Sequence, residues 1–235
     1  GPYDYLRTIS DLFTNAGAKA TFFFNGNNYD CIYAAKRIAD IKYAYAAGHQ
    51  IGSHTWSHAD LTTLSTDQIK DGMYRVEEAL SRILGIKPAF MRPPFGAYNG
   101  NVQSIAAGRG QNLALWDWDT EDADGATVAF SKNVYDQIAS QKPKNALVLE
   151  HETVPTTSSQ LIPYAIQLFQ SKGYNASPSF FVWVFSKRKF QLVTMAECLG
   201  VAPYQAIGVP QTQSVGPPHR TRLYFLIIPI VILDM

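Results

Sequence analysis

Short apolar runs alternate with amphipathic helical segments along most of this chain. The runs that predict strands lie at residues 20–24, just before His54, and at 89–91, 112–116 and 146–149. The segments that predict helices lie at residues 6–16, 32–47, 65–85, 102–107, 128–139 and 157–172. Such alternation predicts an α/β fold with a parallel sheet. Periodicity alone does not separate a barrel from an open doubly wound sheet.

The strongest local signal belongs to the helix predicted at residues 65–85. Ser65 and Gln68 have the spacing of a capping box, and Gly85 follows the last apolar position. Thr157 and Gln160 have the same spacing, which predicts that the helix at 157–172 begins with a second capping box. With 235 residues and 46% hydrophobic content, the chain is long enough to bury one substantial core.

Two histidines, His54 and His58, follow the second predicted strand. Four residues make about one helical turn, so a helical turn here would aim both imidazoles at a single point. Neutral imidazole is a common ligand of zinc, and strand ends are a usual place for sites in α/β proteins. The alternative, that they are ordinary surface or core histidines, is the commoner outcome for such a pair alone.

Further motifs follow in order. They are Arg92-Pro93-Pro94-Phe95-Gly96, Asp119-Thr120-Glu121-Asp122 and Leu147-Val148-Leu149-Glu150-His151-Glu152. Together with His54-Thr55-Trp56-Ser57-His58 they resemble the polysaccharide deacetylases of carbohydrate esterase family four, the NodB-homology domain, and within it the fungal chitin deacetylases. The resemblance covers residues 1–200 and implies a distorted (β/α) barrel. It also implies hydrolysis of N-acetyl groups on N-acetylglucosamine units of chitin, with release of acetate.

The resemblance assigns a role to each motif. His54 and His58 are expected to bind a divalent metal, Zn²⁺ with Co²⁺ as the alternative. Arg92 is expected to hold the catalytic base, and the backbone N–H of Phe95 to stabilise the oxyanion. His151 is then the general acid and Asp122 the carboxylate that keeps it charged.

Two tryptophans just before the Asp119–Asp122 motif are candidate sugar contacts. Trp116 and Trp118 could stack on sugar faces, although tryptophans that flank a strand are more often core residues. The family usually places tryptophan after the aspartate that corresponds to Asp122, and this chain has Ala123. The apolar wall of the acetyl pocket is therefore expected to be altered or supplied elsewhere.

The first residues also depart from the family pattern. Gly1-Pro2 resembles the end of the family's Thr-Phe-Asp-Asp-Gly-Pro motif, whose aspartates supply a metal ligand and the base. A protease scar would also leave Gly-Pro, but the helix and strand that follow are spaced as in the family. We therefore expect the first strand and both aspartates to be missing, and the chain as written to be a poor catalyst. The alternatives are a non-catalytic carbohydrate-binding relic and an acetylxylan esterase.

The final third is less regular. Residues 175–190 are expected to be an insertion, either a real strand or translated intron sequence. Residues 201–235 are expected to be a disordered linker with an apolar tail too short to span a membrane, which faintly resembles a lipid-anchor signal. Cys31 and Cys198 are paired together, free, or bonded to a cysteine outside this sequence.

Composition adds expectations about partners and location. A net charge of +1 gives no indication of a nucleic-acid partner and is compatible with a neutral sugar polymer. We expect a secreted monomer that acts at the cell wall.

Overall fold

A computed structural model describes residues 1–173 and 192–211 of the chain. Its α-helices are α1 (Leu6–Asn15), α2 (Ala35–Ala46), α3 (Thr66–Leu84), α4 (Gly100–Gly108), α5 (Val128–Gln141), α6 (Ile162–Ser171) and α7 (Met195–Leu199). Its strands are β1 (Thr21–Phe24), β2 (Gln50–Ser53), β3 (Ile86–Pro88), β4 (Phe90–Met91), β5 (Asn112–Leu113), β6 (Trp118–Asp119), β7 (Val148–Leu149) and β8 (Tyr204–Ile207). The predicted strand at 112–116 is therefore shorter than expected.

The strands that carry the site are parallel. One sheet has the order β1-β2-β4-β5, with Phe22 opposite Ile51 and Ser53 opposite Met91. A second parallel pair joins β6 to β7. Within each of these sheets the carboxyl ends of the strands therefore face one edge, which is where α/β folds place their chemistry. The predicted α/β architecture with a mostly parallel sheet is confirmed.

Helix α3 begins as its sequence predicts. The Ser65 hydroxyl accepts the N–H of Gln68, and the Gln68 side chain accepts the N–H of Ser65 at 2.9 Å. The helix ends at Gly85, whose φ of 75° is left-handed. A Cβ at this position would lie 2.3 Å from the carbonyl oxygen of Gly208, so glycine is required by both conformation and close approach.

The second predicted capping box is wrong. Thr157 lies inside a π-helical turn, Thr157–Leu161, that leads into α6, and the residue before it, Thr156, is helical and makes no side-chain cap. The Thr157 hydroxyl donates instead to a carboxylate of the candidate site, described below. A tertiary partner has overridden the local pattern.

Strand β8 extends the folded domain beyond the predicted boundary at residue 200. It pairs antiparallel with β3, and the Gln205 side chain donates to the carbonyl of Pro88 at 2.7 Å. The Tyr204 hydroxyl accepts the N–H of Ile51 at 3.1 Å. Residues 201–211 are therefore not a linker, because β3 supplies a backbone partner that the local sequence does not signal.

Two predictions for the C-terminal third concern segments outside the described residues. These are the insertion at residues 175–190 and the apolar tail, which begins after residue 211. Within the described ranges, no helix is both long and apolar enough to cross a membrane. Cys31 and Cys198 are both free thiols.

A buried histidine, His49, lies in the core between α1 and β1. Its side chain is 2% exposed and its ring packs edge-on against Phe22. Nδ1 accepts the N–H of Ala20 at 3.2 Å, so Nε2 carries the proton and faces the carbonyl of Ser10 at 3.2 Å. Burial lowers the pKa of His49 to about 4.

This depressed pKa predicts a pH-dependent stability. Between about pH 6.5 and pH 4 the unfolded chain binds a proton at His49 that the folded chain excludes, so stability is full at neutral pH and falls with pH. The expected loss from this group is about 2 kcal/mol between pH 7 and pH 5. Urea unfolding at both pH values, on the wild type and on His49→Gln, measures it. An identical pH dependence in the two proteins would contradict the assignment.

Candidate active site

His54 and His58 face each other across a loop rather than a helical turn. Their ring centroids are 4.8 Å apart. The loop leaves β2 at Ser53 and contains two non-glycine residues with left-handed backbone, Thr55 at φ 66° and His58 at φ 58°. The expected approach of the two imidazoles is therefore found, but the predicted helical turn is wrong. Such strain is concentrated at functional sites in proteins.

The surroundings of His54 fix its chemistry. The side chain is 5% exposed, and Nδ1 faces the carbonyl oxygen of Arg92 at 2.6 Å. Because a carbonyl only accepts, Nδ1 carries the proton and Nε2 keeps its lone pair. Burial, and secondarily the Arg92 guanidinium, lowers the pKa of His54 well below its usual value. Burial also lowers the pKa of His58. Both imidazoles are thus neutral at pH 7, the form that binds metal.

Arg92 follows strand β4 and turns its guanidinium toward the histidines. Its Nη2 donates to Nε2 of His54 at 3.3 Å. Burial lowers the pKa of Arg92 to about 10, an effect partly offset by the charges of Asp122 and Asp119. No carboxylate of the described residues lies within ion-pair distance of Arg92, so this cation is available to an anion that enters the cleft.

The turn after Arg92 holds an exposed ring over the cleft. Phe95 at φ 59° and Gly96 at φ 66° are consecutive left-handed residues. The Phe95 side chain is 68% exposed, and its ring lies edge-on to that of His58 with centroids 4.8 Å apart. The Phe95 ring therefore lies at the edge of the histidine pair.

His151 and Asp122 form a second cluster at the ends of β6 and β7. Asp122 accepts three hydrogen bonds, from the His151 ring at 2.8 Å, the His151 backbone N–H at 2.8 Å and the Thr157 hydroxyl at 2.5 Å. Burial raises the pKa of Asp122, but these donors outweigh it and lower the pKa below the usual value. Asp122 is therefore an anion that orients the imidazole of His151.

Glu150 is a second carboxyl group beside this cluster, and its environment has the opposite effect. Burial, with a contribution from Asp122, raises the pKa of Glu150 to about 8, although the hydroxyl of Tyr135 works against this. Glu150 is therefore mostly protonated at pH 7 while Asp122 is ionised. Two neighbouring carboxyl groups with separated pKa values are typical of acid–base sites.

The two tryptophans are placed differently. Trp116 lines the cleft and donates its indole N–H to Asp119 at 3.0 Å. Trp118 packs on the helix side, against the buried cluster that α5 and α6 form, and is not among the described residues that line the cleft. Trp116 precedes β6, which begins at Trp118, so the two side chains are not placed by one strand.

The beginning of the chain reaches the same cleft. The carbonyl of Gly1 accepts the N–H of Asn25 at the end of β1. Its amine lies 3.7 Å from Glu152, which also accepts the N–H of Tyr3 at 2.6 Å. The positive charge of the Gly1 amine contributes to the lowered pKa values of His54 and His58. Gly1 therefore lies between the ends of β1 and β7.

The two clusters meet in one open cavity of about 2190 Å³. His54, His58, Phe95, Trp116 and His151 all line it, and the charge of His151 contributes to the lowered pKa of His58. Within residues 1–173 and 192–211, no group of three His, Cys, Asp or Glu side chains is arranged to hold a metal. Two neutral imidazoles suit zinc as donors, but a complete site needs a third ligand.

Three functional contacts were missed by sequence reasoning. Thr157 holds Asp122, Asp119 holds Trp116, and Glu152 holds the first residues of the chain. Asp119 and Glu152 stand inside recognised motifs, which was a usable signal. Thr157 had a competing local interpretation as a helix cap.

Comparison with known proteins agrees with this geometry. The sequence profile described as polysaccharide deacetylase matches residues 1–113. A chitin deacetylase of Pestalotiopsis sp is 38% identical over 177 residues, which are 74% of this chain and 57% of that protein. A chitin deacetylase of Colletotrichum lindemuthianum is 32% identical over 208 residues, 86% of this chain and 77% of that protein. The solved chitin deacetylase of Colletotrichum lindemuthianum superposes with a TM-score of 0.74 at 29% identity and covers 87% of both chains.

An α/β fold with histidines and a carboxylate at its strand ends defines a class of hydrolytic sites. Within that class, the chain belongs to the polysaccharide deacetylase family of carbohydrate esterases. The predicted family is thereby confirmed, and so is the fold class, a distorted (β/α) barrel of the NodB type.

Proposed function

We propose that this chain carries the substrate cleft of a metal-dependent deacetylase that hydrolyses N-acetyl groups of N-acetylglucosamine units in chitin or its oligomers. The observation that carries the proposal is that a neutral histidine pair and a His151–Asp122 pair face one cavity. Water adds to the amide carbonyl, the carbon–nitrogen bond breaks, and acetate and a free amine are released. The names of the curated relatives support chitin as the substrate.

Each residue of the cleft has a part in this reaction. A divalent cation on His54 and His58 would polarise the acyl carbonyl and favour ionisation of the attacking water. The Phe95 backbone N–H is proposed to stabilise the oxyanion. His151, held by Asp122, protonates the departing amine. Arg92 holds the carboxylate that removes the proton from water.

That carboxylate and the third metal ligand are proposed to come from an aspartate pair joined to Gly1. The proposal is supported by the Gly1 amine, which lies between β1 and β7 close enough to affect His54 and His58. It is also supported by the half-buried charge of Arg92, which has no ion-pair partner among the described residues. The 235-residue chain by itself is then a weak catalyst.

Acetate release from chitin oligomers tests this function. The 235-residue chain is compared with one extended before Gly1 by Thr-Phe-Asp-Asp and a matched one extended by Thr-Phe-Asn-Asn, each with Zn²⁺, with Co²⁺ and with chelator. We expect the Asp-Asp protein to exceed the other two by at least about a hundredfold, because it alone has a general base. Chelator should remove the activity.

The other outcomes select the alternatives. Oligosaccharide binding without acetate release by the metal-loaded Asp-Asp protein would select a carbohydrate-binding relic. Faster release from acetylated xylan than from chitin oligomers would select an acetylxylan esterase. We further propose that the protein is a secreted monomer that acts on the cell wall, which cell fractionation and light scattering can test.

A further inference from the structure

Trp116 is held in a fixed orientation against the turn that carries Phe95. Its indole N–H donates to Oδ2 of Asp119 at 3.0 Å. At the other end of the ring, its Cη2 would lie 3.0 Å from a Cβ placed on Gly96. The indole therefore spans the distance between Asp119 and Gly96, and a side chain at Gly96 would press against it.

Asp119 is itself anchored, so the orientation it imposes is rigid. Its second oxygen, Oδ1, accepts the N–H of Glu121 at 2.8 Å. Its backbone lies in β6, opposite Leu149 of β7, two residues before His151. A side chain whose two oxygens are both occupied and whose backbone is in a sheet is well suited to hold another residue in place.

Trp116 lies at the cavity, beside the turn that carries Phe95. Trp116, Phe95 and His151 line the same cavity. Ala123, which also lines it, contributes only a methyl group. Trp116 brings an indole ring to this cavity, whereas the Phe95 side chain is 68% exposed.

We propose that Asp119 is a positioning residue that holds Trp116 as the wall of the acyl pocket, and that this wall limits the site to acyl groups of about the size of acetyl. The proposal rests on the proposed function for the existence of an acyl substrate. It adds the residue pair that sets acyl length. A larger acyl group would have to displace an indole that is held at both ends.

Acyl-length selectivity is the expected readout. Chitotriose carrying N-acetyl or N-butyryl groups is titrated calorimetrically into the 235-residue chain, and turnover of both is measured in the chain extended by Thr-Phe-Asp-Asp. The wild type should prefer N-acetyl by at least about tenfold, because a rigid pocket discriminates one methylene by roughly 10-fold to 200-fold. Trp116→Ala should bring the ratio close to one. Trp116→Phe, which keeps a ring, should fall between them if the alanine variant does not fold.

Asp119 variants separate positioning from general support. Asp119→Ala should lower the acetyl preference at least about threefold, because the hydrogen bond that holds the indole is lost. Asp119→Asn, which retains an acceptor for the indole N–H, should restore most of it. In a Trp116→Ala background, Asp119→Ala should change the ratio no further, because the two residues act as one unit. Asp117→Ala is the matched control, since Asp117 accepts only the N–H of Leu147 and should leave the ratio unchanged.

The two proposals fail in different ways. If the extended chain releases acetate but Trp116→Ala leaves the ratio of N-acetyl to N-butyryl turnover unchanged, the acyl wall is overturned and the deacetylase function stands. If binding prefers N-acetyl in the wild type but not in Trp116→Ala, and the extended chain releases no acetate, the acyl wall stands and the deacetylase function is overturned. Absence of both binding and release overturns both.

Discussion

Replacing His58 by alanine is expected to weaken Zn²⁺ binding by at least about a hundredfold and to abolish acetate release in the chain extended by Thr-Phe-Asp-Asp. Loss of a residue that only supports a metal ligand typically costs 10-fold to 100-fold in affinity, so loss of a ligand should cost more. His58 is the more accessible histidine of the pair, and its pKa is lowered, so it is available as a neutral donor at pH 7.

A matched histidine outside the site provides the control for this experiment. His49 is buried in the core, where its ring nitrogens form hydrogen bonds with Ser10 of α1 and with Ala20, the residue before β1. His49→Gln should therefore leave zinc affinity and stoichiometry unchanged, as measured by calorimetry and elemental analysis. Equal zinc affinity in His58→Ala and the wild type would remove the histidine pair from the metal site. It would also leave the reaction without its source of carbonyl polarisation.

Features encoded by neighbouring residues were predictable from the sequence. The start of α3 depends on Ser65 and Gln68, which are close in the chain and bond to each other. Its end depends on the left-handed backbone of Gly85, a conformation that glycine adopts without cost. The alternation of strands and helices likewise depends on side-chain periodicity, which is a property of each segment.

Features that depend on distant partners were not predictable. Thr157 has the sequence pattern of a helix cap, but the buried carboxylate of Asp122 competes successfully for its hydroxyl. Residues after Gly200 are rich in turn-forming and polar types, yet β3 offers Tyr204–Ile207 an unpaired strand edge. Neither outcome can be inferred without knowing which segments meet.

The candidate site shows both situations. The spacing of His54 and His58 correctly predicted that their rings approach each other. It did not predict how, because left-handed Thr55 and His58 replace the expected helical turn, and β-branched threonine rarely adopts that conformation. Recognition of the motif order supplied the candidate residues, whereas their protonation states follow only from burial and contacts. The pKa of Glu150, raised to about 8 beside an ionised Asp122, is an example.

His151→Ala is expected to distinguish a general acid from a merely structural histidine. In the chain extended by Thr-Phe-Asp-Asp, kcat on chitin oligomers should fall by about 10²-fold to 10⁴-fold, because an amine leaves poorly unless it is protonated. On 4-nitrophenyl acetate, whose phenolate leaves without a proton, the loss should stay below about tenfold. The imidazole is positioned for this task, because Asp122 holds it at 2.8 Å.

Two further variants give this comparison its controls. The His58→Ala variant should lose activity on both substrates equally, because polarisation of the carbonyl is needed whatever the leaving group. Thr157→Val, which removes one of the three donors to Asp122, should lower kcat on chitin oligomers by only about tenfold and spare the ester. If His151→Ala slows hydrolysis of the ester as severely as that of the amide, its role is to shape the cleft, and the proton for the amine must come from another group.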